Sequence, residues 1–367
     1  MTRTSIVRWG ILGTAEIARK NWQAILNSGN GVVTSVASRE ISRAEQFIDD
    51  CQNYAPFIER PSALQSYEEL LTSSDVDAVY IPLPTGVRKE WVIRAAMAGK
   101  HVVCEKPCAI SLEDLQEMTD ACRENGVQFM DGVMFMHSKR MAKMRTVLDD
   151  AHSVGELRRL TAHFSFNAPK EFFIGNIRSH SSMEPHGCLG DLGWYCTRFF
   201  LWAMNWRMPE KVVGRLIATH SREGSPEPVP KQFSAEFFFK DGPTASYYVS
   251  FETENQQWAH LSGTKGYLQI DDFVLPWFGS ELSFEVNNAE FEIMGSDSNM
   301  KPNFTPHRVN EYSNSFPNAQ ESNLFGNFGR QVLSRKLNAD WPEHALKTQE
   351  LLNACYQSAL DDKPVML

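Results

Sequence analysis

The sequence predicts an α/β chain of two domains, a doubly wound parallel sheet followed by an α+β domain with a large, mainly antiparallel open sheet. Three observations predict it. Strand-like and helix-like runs alternate strictly over about the first 130 residues. From about 212 to 293, strand-like runs succeed one another without intervening helices. The 367 residues also exceed what one compact core usually serves, about 250–300.

The run Ile6-Val7-Arg8-Trp9-Gly10-Ile11-Leu12 predicts the first strand, and helical spacing of apolar residues over 16–27 predicts the first helix. The pattern continues with a strand at 32–38 and helices at 43–51 and 66–72. A buried strand at 78–81, a helix at 88–98, a strand at 101–104, a helix at 112–124 and a strand at 127–130 complete it. Such alternation implies a parallel sheet covered on both faces. A helix at 138–149 and a strand at 157–166 then lead into a long polar loop carrying Pro169 and Gly175. Helical spacing returns at 194–203. Strands at 234–239, 245–252 and 267–270 follow, with Asp241-Gly242 as a hairpin signal. Residues 295–318, rich in Asn, Ser and Pro, read as an extended loop, and 324–334 and 344–360 as closing helices.

A net charge of −9 argues against nucleic acid or an anionic membrane as partner. Seven cysteines without a CxxC pair suit a reducing compartment, and the cytoplasm is expected. Residues 1–5 are polar, and the apolar run after them is too short for a secretory signal or a membrane span.

Gly13-Thr14-Ala15-Glu16-Ile17-Ala18 joins the first strand to the first helix as a G-x-A-x-x-A variant of the dinucleotide fingerprint. Gly13 permits the tight turn, and Ala15 lets backbone approach a pyrophosphate. Ala18 allows close helix–strand packing, and the helix N-terminus supplies amide donors. This points to a Rossmann domain over 1–130, with 131–367 forming the second domain. The second strand ends Ala37-Ser38-Arg39. An arginine there suits a ribose 2′-phosphate, so NADP is preferred to NAD, although the adjoining Glu40 is an alternative reader of a bare ribose. Ligands of such sheets lie beyond the carboxyl ends of the strands. The segments 81–85, with Pro82, Leu83 and Thr85, and Glu105-Lys106-Pro107 occupy that edge, and Lys106 is placed to reach nicotinamide or a substrate hydroxyl.

Together with Gly10-Ile11-Leu12-Gly13, Ile81-Pro82-Leu83-Pro84 and Glu105-Lys106-Pro107, the run Gly187-Cys188-Leu189-Gly190-Asp191-Leu192-Gly193-Trp194-Tyr195 and the turn Gly263-Thr264-Lys265-Gly266 carry a resemblance. The chain resembles the glucose–fructose oxidoreductase / inositol dehydrogenase (Gfo/Idh/MocA) family over nearly its whole length. The resemblance implies catalytic roles for Lys106, Asp191 and Tyr195, and a domain over 131–367 that binds substrate and forms a homodimer or homotetramer through its sheet. Tyrosine at 195 matches the branch of glucose–fructose oxidoreductase and dimeric dihydrodiol dehydrogenase, where inositol dehydrogenases carry histidine. Thr85-Gly86-Val87-Arg88 departs from the asparagine and histidine of many relatives.

Asp191 and Tyr195 stand four apart, so a helix brings them to one face. A phenol titrates at about 10, and a nearby ammonium brings that value down. Tyr195, helped by Lys106, is expected to exchange the hydroxyl proton while hydride passes to or from nicotinamide, with Asp191 orienting the substrate hydroxyl or the lysine. His186 and Arg178 are further candidates for substrate contact, and Phe172 and Phe173 for shaping specificity. His180, His186, Cys188 and Cys196 match no compact ligand spacing, and no metal is expected. The expected activity is NADP(H)-dependent hydride transfer at a CH–OH or C=O group of a small polyhydroxylated molecule: a sugar, inositol or trans-dihydrodiol. The alternatives are a non-catalytic NADP(H) sensor and a nicotinamide-dependent glycosidase.

Overall fold

The computed structural model describes residues 6–314 and 316–367. The polar stretch 1–5, and Ser315 within the expected loop, lie outside the described residues. The chain divides into two compact units. The first runs to His137 and adds Ser182–Pro185 and Asn314–Glu350; the second takes Ser138–Ser181, His186–Ser313 and Leu351–Leu367. A single cut after residue 130 therefore does not separate them.

In the first unit the elements are β1 (Val7–Leu12), α1 (Glu16–Asn27), β2 (Gly31–Ala37), α2 (Ile41–Tyr54), β3 (Ser62–Leu64) and α3 (Tyr67–Thr72). They continue with β4 (Ala78–Ile81), α4 (Thr85–Met97), β5 (His101–Cys104), α5 (Leu112–Glu124) and β6 (Phe129–Asp131). The strands form one parallel sheet in the order β3-β2-β1-β4-β5-β6. Every residue of β4 is buried, as a strand covered on both faces requires. The order reverses between β1 and β4, which opens a crevice at the carboxyl ends of these strands. The three-residue strand β3 has no run long enough to announce it in sequence.

The second unit holds α6 (Lys139–Asp149), β7 (Leu157–Asn167), α7 (Lys170–Gly175), α8 (Trp194–Ala203), β8 (Lys211–His220), β9 (Val229–Phe238) and β10 (Thr244–Ser250). It continues with β11 (Glu252–Gly263), β12 (Tyr267–Ile270), β13 (Glu281–Asn287), β14 (Glu290–Met294), β15 (Asp297–Lys301) and β16 (Phe304–Asn310). Helices α9 (Gln320–Ser334) and α10 (Asp340–Asp361) and strand β17 (Val365–Met366) close the chain. The large sheet has nine strands in the order β16-β13-β12-β11-β7-β10-β9-β8-β17, antiparallel except for β7 with β10.

Alternation along β7 buries Leu160, Ala162 and Phe164 and leaves His163 half-exposed. The buried face carries Phe237 and Tyr247 against Phe200 of α8, a helix buried along its whole length. On the opposite face Tyr248, His163, Trp258, His260 and Tyr267 form a half-exposed stripe across four neighbouring strands, with successive ring centroids 5.0, 5.7, 5.1 and 6.0 Å apart.

Two expected loops contain regular structure. Within 295–318, β15 pairs with β14 as a separate hairpin and β16 forms an edge of the large sheet. Its Pro306 made the segment read as loop, but an edge strand tolerates a residue without an N–H. Within the loop at 169–175, α7 brings Phe172 against Phe166 and Phe251 at 5.5 and 5.1 Å. The return of 314–350 to the first unit also has a packing cause. Phe325 and Phe328 of α9 lie 5.1 and 5.4 Å from the fully buried ring of Trp9 on β1. Burying each such side chain contributes about 1.5–3 kcal/mol.

Candidate active site

At the β1–α1 turn Gly13 has φ +97°, and its N–H donates to Ala37 O at 2.8 Å. A Cβ there would stand 3.0 Å from Leu83 Cδ2, so both conformation and space require glycine. Ala15, the N-cap of α1, offers no side-chain acceptor, which leaves the first-turn amides at Glu16 and Ile17 open to an anion. Thr14 and Ala15 are half-exposed, and Glu16 and Ile17 are exposed. The Glu16 carboxylate pairs with Arg19 at 3.2 Å.

Ser38 is buried at the tip of β2, and Arg39 beside it is exposed. Arg43, one turn into α2, is also exposed. Burial raises the Tyr67 phenol, while the charges of Arg39 and Arg43 oppose the rise, so both guanidinium groups act on this ring. The Tyr67 hydroxyl lies 3.5 Å from where a Gly13 Cβ would stand. Among the described residues neither Arg39 nor Arg43 has a carboxylate partner. Two uncompensated cations beside the Gly13 turn fit a dinucleotide bearing an additional phosphate. Arg43 and Tyr67 escaped the sequence reading, although Arg43 lies only four residues from Arg39.

The tips of β4 and β5 are built around a buried arginine. Pro82, Leu83 and Thr85 are buried, and Arg88 on the first turns of α4 is 3% exposed. Its Nε donates to Leu83 O at 2.6 Å, and its Nη1 donates to Glu105 O at 2.8 Å and to Pro107 O. Pro84 gives α4 no side-chain cap. Glu184 supplies one from a distant point in the chain, accepting from Thr85 N at 3.1 Å and Thr85 Oγ1 at 2.5 Å, with Arg88 Nη2 at 3.9 Å. Gly86 accommodates this strap. Its N–H donates to Met183 O at 3.0 Å, and a Cβ would fall 2.0 Å from Ser182 O.

Lys106 is half-buried, and the Lys106–Pro107 peptide is cis. Glu105, expected to touch cofactor, has its carboxylate engaged from within the unit. Oε1 accepts from Tyr80 Oη at 2.6 Å and Asn21 Nδ2 at 3.4 Å, and Oε2 from Lys106 N at 3.3 Å. Burial and the Glu105 charge hold the Tyr80 phenol far above its ordinary range, so it stays a proton donor.

In the second unit Asp191 lies in a π-helical turn, Leu189–Gly193, that leads directly into α8. Such turns inside helices recur at functional sites. Asp191 is buried, and its Oδ2 is 2.8 Å from Arg178 Nε, so two expected site residues are joined. Tyr195, in the first turn of α8, is 8% exposed, with its ring 5.9 Å from Phe164. His186 has a different environment. It is 4% exposed, its Nε2 is 3.4 Å from Asn353 Nδ2, its ring lies against Tyr356, and its Nδ1 has no partner. Burial lowers its pKa to about 4, so it is neutral at ordinary pH.

Fold and turn geometry define a Rossmann protein of the nicotinamide-dinucleotide class carrying a second, sheet-based domain. Residues 7–133 match the family model described as an oxidoreductase family with an NAD-binding Rossmann fold, and residues 141–269 match the GFO/IDH/MocA C-terminal domain. The chain belongs to the Gfo/Idh/MocA oxidoreductase family. It is 30% identical over 300 residues to mouse trans-1,2-dihydrobenzene-1,2-diol dehydrogenase, covering 80% of this chain and 83% of that protein. A D-xylose 1-dehydrogenase (NADP(+)) of Haloferax volcanii is 30% identical over 281 residues, covering 75% and 80% of the two chains. The structure of an aldose–aldose oxidoreductase from Caulobacter crescentus superposes with a TM-score of 0.81 at 20% identity, covering 99% of this chain and 100% of the other. A 3-ketoreductase from Actinomadura kijaniata, in complex with NADP and TDP-benzene, gives 0.77 at 23% identity, with 96% and 98% covered. At these identities the two structures speak for the fold alone. No helix among the described residues is long and apolar enough to cross a membrane.

Proposed function

We propose that the chain transfers hydride between NADP(H) and a CH–OH or C=O carbon of a small polyhydroxylated molecule. The observation that carries the cofactor choice is the uncompensated Arg39–Arg43 pair beside Tyr67 and the Gly13 turn. The reaction class follows from family membership, and the relatives named as dihydrodiol and NADP-dependent xylose dehydrogenases support the substrate class. When bound, nicotinamide supplies or accepts the hydride. Tyr195 exchanges the proton with the substrate oxygen, and the Lys106 ammonium stabilises negative charge as it develops there. Asp191, fixed by Arg178, orients the substrate hydroxyl. The stripe of half-exposed rings on the nine-stranded sheet supports a homodimer or homotetramer formed through that face. Seven free, buried thiols support a reducing compartment, the cytoplasm.

The test is a panel of aldoses, inositols and trans-dihydrodiols with NADP⁺ and NAD⁺, read at about 340 nm, where reduced nicotinamide absorbs. Turnover with NADP⁺ is expected. Cofactor binding without turnover across the panel would turn the assignment towards a sensor. Tyr195→Phe is expected to lose roughly 10²–10⁴-fold in kcat while still binding cofactor, as removal of a proton-transfer group does.

A further inference from the structure

We propose that Arg88, Thr85 and Glu184 are positioning residues for Lys106, a brace that fixes the backbone on both sides of that lysine. The proposal rests on the role given to Lys106 above. Its own evidence is the bonding around one peptide segment. The Lys106 N–H donates to the Glu105 carboxylate at 3.3 Å. The carbonyl before Lys106, that of Glu105, accepts from Arg88 Nη1 at 2.8 Å. The carbonyl of the next residue, Pro107, accepts from the same nitrogen and, at 3.2 Å, shares the single Thr85 hydroxyl proton with the Glu184 carboxylate. One guanidinium thus grips the peptide that precedes the lysine and the one that follows Pro107, and through Nε it also holds Leu83 O at the neighbouring strand tip.

Glu184 organises the gripping side. Its two oxygens take the Thr85 N–H and hydroxyl, and it supplies the carboxylate nearest Arg88, at 3.9 Å. A buried cation bonded mainly to carbonyls is an expensive way to hold a loop. Arginine suits the position because its planar fork presents five donors in fixed directions, whereas a lysine ammonium presents three from a single atom. Here the fork reaches the tips of β4 and β5 at once. With the backbone pinned just before Lys106 and one residue beyond it, the Lys106 side chain leaves the chain from one defined point.

The test uses the full chain and needs no substrate. Wild type, Arg88→Lys, Thr85→Val and Glu184→Gln are labelled with trace acetic anhydride, and acetylation is followed lysine by lysine by peptide mass mapping. Lys100, buried in the same unit with its Nζ on Ser73 O and Val76 O, reports any general loosening, and exposed Lys240 reports reagent strength. Arg88→Lys is expected to raise the Lys106 rate at least about three-fold with Lys100 and Lys240 unchanged, and Thr85→Val and Glu184→Gln to raise it less. If Lys106 and Lys100 accelerate together, or if Lys106 keeps its wild-type rate in a folded variant, the brace is refuted. Should Arg88→Lys lose its cooperative melt, Thr85→Val decides by the same criterion. A turnover arm with any substrate found active predicts a loss in kcat with little change in KM. If wild type turns over nothing, the role of Lys106 fails while the labelling still decides the brace.

Discussion

Two arginine sites lie at the carboxyl edge of the same parallel sheet and are built in opposite ways. At the tip of β2, Arg39 and Arg43 are exposed and without a carboxylate partner among the described residues, and their charges fall on Tyr67. At the tips of β4 and β5, Arg88 is buried and its donors are taken up by Leu83 O, Glu105 O and Pro107 O, with Glu184 nearby. An exposed, uncompensated cation is available to a ligand, and losing it costs the folded chain little. A buried, bonded one belongs to the scaffold, and losing it strands every group it satisfied. The same residue type is therefore left open to solvent and ligands in one place and built into the framework in the other.

Substitution at the two sites should separate them. Arg88→Met takes a donor from three carbonyls and the nearby cation from the Glu184 carboxylate, and should cost about 3–5 kcal/mol in urea unfolding. A loss below about 1 kcal/mol would place Arg88 with the surface arginines. His186 extends the buried class to the second unit. Its folded pKa of about 4 lies below the unfolded value near 6.5, so the unfolded chain takes up the proton first as pH falls. Stability from this group is complete above about pH 6.5 and is lost progressively down to about pH 4, by roughly 3 kcal/mol in total. His186→Gln should flatten that acid limb in pH-dependent unfolding, and an unchanged limb would assign it to other groups.

At the open site, Arg39→Ala and Arg43→Ala should each weaken NADPH binding about 10–100-fold, the loss of one charge-assisted hydrogen bond. Their stabilities should stay within about 0.5 kcal/mol of wild type. Equal weakening of NADH would show that the pair supports the fold of the turn rather than reading a phosphate.

The sequence carried the first unit well because its signals are local. The buried run Ala78-Val79-Tyr80-Ile81 and the glycine turn at 13 each announce their element within a few residues. Lys106, Asp191 and Tyr195 stood out in the sequence only as candidates, through the runs that contain them. Arg88 was noticed only as a departure from relatives, since nothing near it reveals that its partners sit at 105, 107 and 184. Glu184 acts as a helix cap for an element 99 positions away, which no window of sequence displays. Edge strand β16 hid behind Pro306, and α7 behind its shortness. The burial of His186 was not legible, because the sequence shows only a neighbour of Asp191 and not what packs around it.

The claim that the β2 tip selects the cofactor is tested most directly by titrating NADPH and NADH into wild type and the Arg39→Ala/Arg43→Ala double variant, followed by tryptophan quenching. Wild type should bind NADPH much more tightly than NADH, and the double variant should bind the two about equally, with NADH affinity unchanged. A double variant that keeps the wild-type preference for NADPH would contradict this assignment.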